Sequence, residues 1–564
     1  MKPLQSLSPE NRFALLILLL GICLRLVALG TNPPGLFRDE AEKVHTAWSL
    51  GLTGGYHHLT QVAGPDGRPM PVFEGLGPPL FVDAYGSWTS AIYQWATVPF
   101  ALLLGPTALA ARLPAALVGI LTLLVVWRFV RRAFDEEVAL LALFFLAISP
   151  WHVLFSRWAQ QGIFVPLWLS LALWIFERGR LAAGRQWWIA GLCFGMAIYT
   201  YAPMRLTVPL FVLALALSCR QDLARNRRAA LWALLAFTLA CLPTALWLML
   251  NAGEGMQRFD RVSIWQEGTS LGSVTAHFIS NYLRHLSLPF LFLSGDENLR
   301  HSVPGFGQMH WIELPGLLLA LFVALIQRRP QDLTLALWFL LAPIAPSLTL
   351  ESPHALRGIA ALPAAHILSA AGTALIFRGL VRFAHAKLAP RRRRLLRLQE
   401  WIRLNIDGLR ATGLMLGGVT AILFALQLFL RYPALTAESW ETGLHEALQE
   451  AAPYAERGIP VLVTGHALYL PTHLRVALRK RPSDAELEPY LPPPWNQCGE
   501  GPTSPQALWH QLAARAQPVV FITKPGEIPD HEPPVTIWSP GNRFTPSPHV
   551  LWEIHLGGEA SDSP

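Results

Sequence analysis

Runs of Leu, Ala, Val, Ile, Phe and Trp, each about 17–25 residues long, recur through the first 430 residues. That is the length a helix needs to cross the hydrocarbon core of a bilayer. In lipid every backbone polar group must be satisfied within the segment, so such runs are read as helices. They fall at 13–29, 108–130, 137–154, 161–177, 186–201, 205–219, 229–250, 311–327, 332–350, 358–380 and 411–430. The chain therefore reads as an α-helical polytopic membrane protein with about eleven transmembrane helices. Only 15% of its residues are charged, against about 25% in an average soluble domain. Residues 431–564 differ, with many prolines and ordinary charge density. Ser439–Ala455 has helical character, Pro460–Thr464 and Pro518–Thr523 are short apolar strands, and His549–His555 alternates like a third. Residues 1–430 thus form a membrane domain and 431–564 a small α/β soluble domain.

The net charge of +8 is placed as membrane insertion requires and not as a nucleic-acid surface. Lys2 and Arg12 precede the first run; Arg128, Arg131 and Arg132 follow the second. Arg178, Arg180 and Arg185 separate the fourth and fifth, and Arg220, Arg225, Arg227 and Arg228 the sixth and seventh. Arg328 and Arg329 lie after the eighth, and Arg391–Arg394 after the tenth. All fall on one side if the N-terminus is cytoplasmic. This expectation puts a multi-pass protein in the cell (plasma) membrane, with the C-terminal domain extracytoplasmic. The outward loops are then 30–107, 155–160, 202–204, 251–310 and 351–357. Arg25 interrupts the first run and no small-residue cleavage site precedes Pro33-Pro34, so this run reads as a retained helix. The stretch Pro79–Leu104, rich in Trp and Tyr, reads as helices lying in the interface. Cys23, Cys193, Cys219, Cys241 and Cys498 form no metal motif and no disulfide framework within the soluble part.

Chemistry is to be sought on the outer loops. Arg38-Asp39-Glu40 opens a helix-like stretch about ten residues beyond the first run. An acid there can take a proton from a hydroxyl, although carboxylates also simply stabilise a helix N-terminus. Cations on the outer side run against the positive-inside bias: Arg157 in Ser156-Arg157-Trp158, Arg205 after Tyr199-Thr200-Tyr201, Arg300 and His301, and His354 and Arg357 in Pro353-His354-Ala355-Leu356-Arg357. Several such groups suit a shared phosphate, which arginine forks bind well. Glu74 stands in the stiff Pro71–Leu80 turn. With His301 it offers two ligands to a divalent metal, too few to define a site.

These residues resemble a known family. The Asp-Glu of the first outer loop, the Pro-Pro-Leu turn, Ala110-Ala111-Arg112-Leu113-Pro114 opening the next helix, and Ile148-Ser149-Pro150 followed by Ser156-Arg157 are similar in kind and order to the protein O-mannosyltransferase and aminoarabinose transferase superfamily of GT-C membrane glycosyltransferases. Arg300-His301 and Pro353–Arg357 resemble motifs of its uncharacterised bacterial members. The resemblance implies a sugar donor on a polyprenyl phosphate, a glycan, lipid or protein acceptor, and transfer on the outer face of the membrane. It implies Asp39 as base with Glu40 beside it. Donor phosphate and sugar would be bound by a subset of Arg157, Arg205, Arg300, His301, His354, Arg357, Tyr199, Tyr201 and Glu74. It departs at Gln160-Gln161, where many relatives carry an acid. A transporter or flippase of lipid-linked sugar is the alternative. That class binds at the membrane midplane, often within repeats, whereas these halves show no repeat and the polar residues gather at the outer mouth. A bare anchor for the soluble domain would need one span.

Overall fold

The computed structural model describes residues 8–54, 79–84, 87–386, 412–413, 415–468, 470–479, 495–498, 504–513, 518–528, 535–538 and 550–557. Each of the apolar runs contains helix. Among the described residues, Ala108–Ala133, Gln161–Arg180, Arg227–Leu250, Ile359–Leu380 and Met415–Thr436 are long and apolar enough to cross a membrane. The run at 137–154 is broken at Ser149-Pro150, where Glu136–Ile148 ends and Pro150–Phe155 begins. Proline has no N–H to continue the first helix, and the Ser149 hydroxyl caps the second by accepting from the His152 N–H at 3.2 Å.

The chain packs as two compact units. The first comprises 1–27, 115–156 and 161–427; the second comprises 28–114, 157–160 and 428–564. In the first unit, small residues let helices touch backbone to backbone. A side chain at Gly372 would collide with the backbone of Gly316, and one at Gly191 with the backbone of Ala233. Such close approach is how membrane helices gain packing without a hydrophobic drive between them. Polar anchors finish the helix ends: Arg378 donates to Asp135 at 2.8 Å and to Glu137 at 2.9 Å.

In the second unit, β1 (Phe81–Asp83) and β2 (Trp88–Ser90) form an antiparallel hairpin ahead of the helix Ile92–Leu104. Interfacial helix was expected throughout 79–104. Phe81 and Val82 are both buried in the strand and pair with Ser90 and Thr89. The C-terminal part carries β3 (Val461–Val463), β4 (Trp495–Gln497), β5 (Val519–Thr523), β6 (Val535–Trp538) and β7 (Val550–Gly557), in the order β4-β3-β5-β7-β6. Strands β3, β4 and β5 are parallel, and β7 runs antiparallel to β5 and β6. The helix Leu444–Glu456 buries Leu444, Ala447, Leu448 and Ala451 against Val461, Val463, Val520, Ile522 and Trp552. The expected strands correspond to β3, β5 and β7. The short edge strands β4 and β6 carry little periodic signal and were not expected.

Candidate active site

The acidic pair lies in the second unit, at the start of the helix Arg38–Thr53, which ends at the left-handed Gly54. The chain reaches it through Gly35, whose φ is +70°; a Cβ there would lie 2.5 Å from the carbonyl of Trp440. Phe37 packs edge-on against Trp440, and Arg38 pairs with Glu441 at 3.1 Å, so the helix entrance is clamped to the segment that follows the last apolar run.

Glu40 and Asp39 are treated differently. Glu40 is fully buried and grips Arg112 with both oxygens, Nε to Oε1 at 2.9 Å and Nη2 to Oε2 at 2.7 Å. Arg112 also donates to the carbonyls of Leu29, Pro33 and Gly35. Oε1 further accepts from the backbone N–H of Ala159 at 3.1 Å. Glu40 therefore ties together its own helix, the Ala108–Ala133 helix and the Arg157–Gln160 segment. Asp39 is half-buried, and its Oδ2 accepts from the Gln160 amide at 3.2 Å. Among the described residues its other oxygen has no recorded hydrogen bond. At the first turn it also sits at the positive end of the helix dipole. A carboxylate steadied through one oxygen at a helix mouth has the chemistry a general base requires.

Arg157 belongs to the same unit. It is fully buried, donates to the Asn32 carbonyl at 2.6 Å, and lies 5.2 Å from the centre of the Phe429 ring. Burial, reinforced by Arg112, lowers its pKa to about 9. Three residues along the helix from Asp39 stands Glu42, also buried. Burial pushes its carboxyl up to about 7, although Lys43 and the Thr46 hydroxyl, donating at 3.0 Å, favour ionisation. Glu42 was not expected as a site residue; only its place on a helix too polar to be so buried marks it.

The remaining cations lie in the first unit. Tyr199 is in the last turn of Trp187–Thr200, and Arg205 in the first turn of Met204–Ser218. Arg300 and His301 come from a loop wound about Asp296, a residue the sequence does not single out. The loop enters through Gly295 at φ +76°. Asp296 Oδ1 accepts from the Asn298 N–H at 2.9 Å, and its backbone carbonyl from the Ser302 hydroxyl at 2.6 Å. Its Oδ2 meets His301 Nδ1 at 2.9 Å and accepts from the Ala355 N–H at 2.7 Å. That last bond brings the Pro353–Arg357 motif to the same place. The rings of His301 and His354 lie 4.6 Å apart between centres. Arg357 donates to Thr349 at 2.9 Å and pairs with Glu351 at 3.1 Å. His285 Nε2 accepts from the His354 N–H at 3.1 Å, and burial takes the His285 imidazole down to about 4. The hydrogen bonds to Asp296 outweigh its burial and hold its carboxyl below the usual range. Thus His301, His354 and Arg357, which the sequence grouped only by chemistry, share one neighbourhood. Glu74 lies outside the described residues.

Residues 90–247 match the family model described as dolichyl-phosphate-mannose-protein mannosyltransferase. No curated protein matches the chain by sequence. Among solved structures, ArnT from Cupriavidus metallidurans bound to undecaprenyl phosphate is similar at 14% identity and a TM-score of 0.53, over 97% of this chain and 98% of that one. The apo form of the same protein gives 16% identity and a TM-score of 0.52, over 92% and 94%. The oligosaccharyltransferase of Archaeoglobus fulgidus follows at 13% identity and a TM-score of 0.45, over 86% of this chain and 66% of that one. The chain is a multi-pass membrane protein with the GT-C fold. Its fold is similar to that of ArnT, and its segment 90–247 matches the mannosyltransferase family model.

Proposed function

We propose that the chain is a membrane glycosyltransferase that moves a sugar from a polyprenyl-phosphate-linked donor to an acceptor hydroxyl on the extracytoplasmic face, with Asp39 as base. The observation that carries this reading is the division of labour in the acidic pair. Glu40 is consumed by Arg112, while Asp39 is half-buried and oriented through one oxygen by the Gln160 amide. The family match and the ArnT-like fold support the donor class.

In the reaction the acceptor O–H gives its proton to Asp39 and its oxygen forms a bond to the anomeric carbon. The bond from that carbon to the phosphate oxygen breaks with inversion, and its electron pair leaves on the polyprenyl phosphate. The departing phosphate gains charge, and preorganised cations lower the barrier as it does so. Arg300, His301, His354 and Arg357 are assigned to that phosphate. Arg157 is assigned to shaping the Arg157–Gln160 segment, because its guanidinium is engaged inside the second unit. Arg205, Tyr199 and Tyr201 are assigned to the sugar.

The test is transfer in membranes from a radiolabelled polyprenyl-phosphate sugar with the Asp39→Asn variant. Loss of transfer of about two to four orders of magnitude is expected for a general base. Full retention would remove Asp39 from the reaction.

A further inference from the structure

Asp296, His301 and His354 offer more than a phosphate contact. One carboxylate oxygen and one ring nitrogen from each histidine all lie within 4.8 Å of one another, with Asp296 and His301 buried and His354 half-buried. We propose that these three side chains bind a divalent transition-metal ion of the zinc or manganese class, a site that rests on the proposed transfer reaction only for the role of its open position.

The donor set supports this choice. Two imidazoles and one carboxylate suit zinc, manganese or iron, whereas magnesium and calcium prefer oxygen alone. Ligands around one ion at about 2.0–2.2 Å stand roughly 3–4.4 Å apart. The observed spread of up to 4.8 Å lies just beyond that range. Asp296 is braced by backbone N–H groups from two separate loops, those of Asn298 and Ala355. His354 is braced on its own backbone by His285. Such outer bracing is what fixes ligands in metal centres. The described residues place Asp296 and His354 beside His301; Glu74, the partner the sequence offered, lies outside them. Three protein ligands leave a coordination position open, as catalytic centres do. On the proposed reaction an ion held by these three side chains would add positive charge beside Arg300 and Arg357 for the departing phosphate.

The test uses the full-length protein in nanodiscs, with any affinity tag removed and after chelation and dialysis. Zinc is titrated and bound metal counted by mass spectrometry, and cobalt serves as a spectroscopic probe. One equivalent is expected, with cobalt absorption bands of a nitrogen and oxygen site. His301→Ala and His354→Gln should each weaken binding by at least about tenfold, while Glu297→Gln on the same loop should not. Wild-type protein that retains no metal overturns the proposal, as does unchanged binding in both histidine variants that remain monodisperse. If His301→Ala does not fold, His354→Gln decides alone. Activity is not part of this readout. Metal binding with full transfer by Asp39→Asn would sink the proposed base and leave the metal site standing.

Discussion

Replacing Glu40 by glutamine is the perturbation whose cost the structure sets most directly. Glu40 and Arg112 are both fully buried, and the guanidinium donates to the two carboxylate oxygens and to three carbonyls. The amide of a Glu40→Gln variant would keep one acceptor but leave the cation without its counter-charge. Breaking a buried pair in this way costs about 3–5 kcal/mol, a large part of a total stability of about 5–15 kcal/mol. At about 2–4 °C per kcal/mol for a larger domain, the melting temperature in detergent should fall by about 6–20 °C. Arg112→Met should cost more, because it strands the carboxylate and the carbonyls of Leu29, Pro33 and Gly35 at about 1–3 kcal/mol for each polar group. The double variant should be no worse than Arg112→Met alone, giving a coupling of about 3 kcal/mol. Apparent melting of the four proteins, followed by intrinsic fluorescence and by retention on size-exclusion chromatography, supplies the cycle. Additive losses, or a Glu40→Gln protein that melts with the wild type, would refute the argument. Transfer per folded molecule should also survive better in Glu40→Gln than in Asp39→Asn.

Three other substitutions probe the same unit. Glu42 has its carboxyl raised from 4.5 to about 7, so between those values the folded protein holds a proton that the unfolded chain has lost. Its contribution is complete below about pH 4.5 and declines as the pH rises through 7, by up to about 3 kcal/mol at 1.36 kcal/mol per unit. Glu42→Gln should flatten the fall of melting temperature between pH 5 and 8, and an unchanged slope counts against a protonated Glu42. Gln160→Ala removes the donor that orients Asp39; kcat should drop about tenfold with the donor KM little changed, and an equal rise in KM would point to donor binding instead. Gly35→Ala should destabilise by about 1–3 kcal/mol, because φ is positive and the new methyl meets the Trp440 carbonyl; normal melting would show that the turn relaxes.

The membrane fold was legible because its signal is local. A run such as 229–250 declares a helix by length and composition, and Arg227–Leu250 is the result. The C-terminal sheet region was half legible for the same reason. β5 and the helix Leu444–Glu456 carry continuous or periodic apolar faces, whereas β4 is three residues at a sheet edge. The division of the chain was not legible. Asn32 donates to the Leu428 carbonyl and Arg38 pairs with Glu441 across about four hundred residues of sequence, and nothing in either stretch names the other. Asp296 escaped notice because a Gly-Asp turn reads as loop chemistry; its use by His301 and Ala355 appears only once the loops fold.

The same limit explains the acidic pair. The sequence presents Asp39 and Glu40 as equals, and as equals they invite a shared role. Consecutive residues on an α-helix point about 100° apart, so two neighbours on a packed helix cannot both face the same surroundings. Arg112 arrives on another helix with three donor bonds already committed to the carbonyls of the preceding turn, and the carboxylate that completes it must be the one facing inward. That is Glu40. The other acid then stays at the helix mouth, where Gln160 can steady one oxygen without neutralising the charge. An amide serves there because it donates a hydrogen bond to the carboxylate and adds no charge of its own beside it.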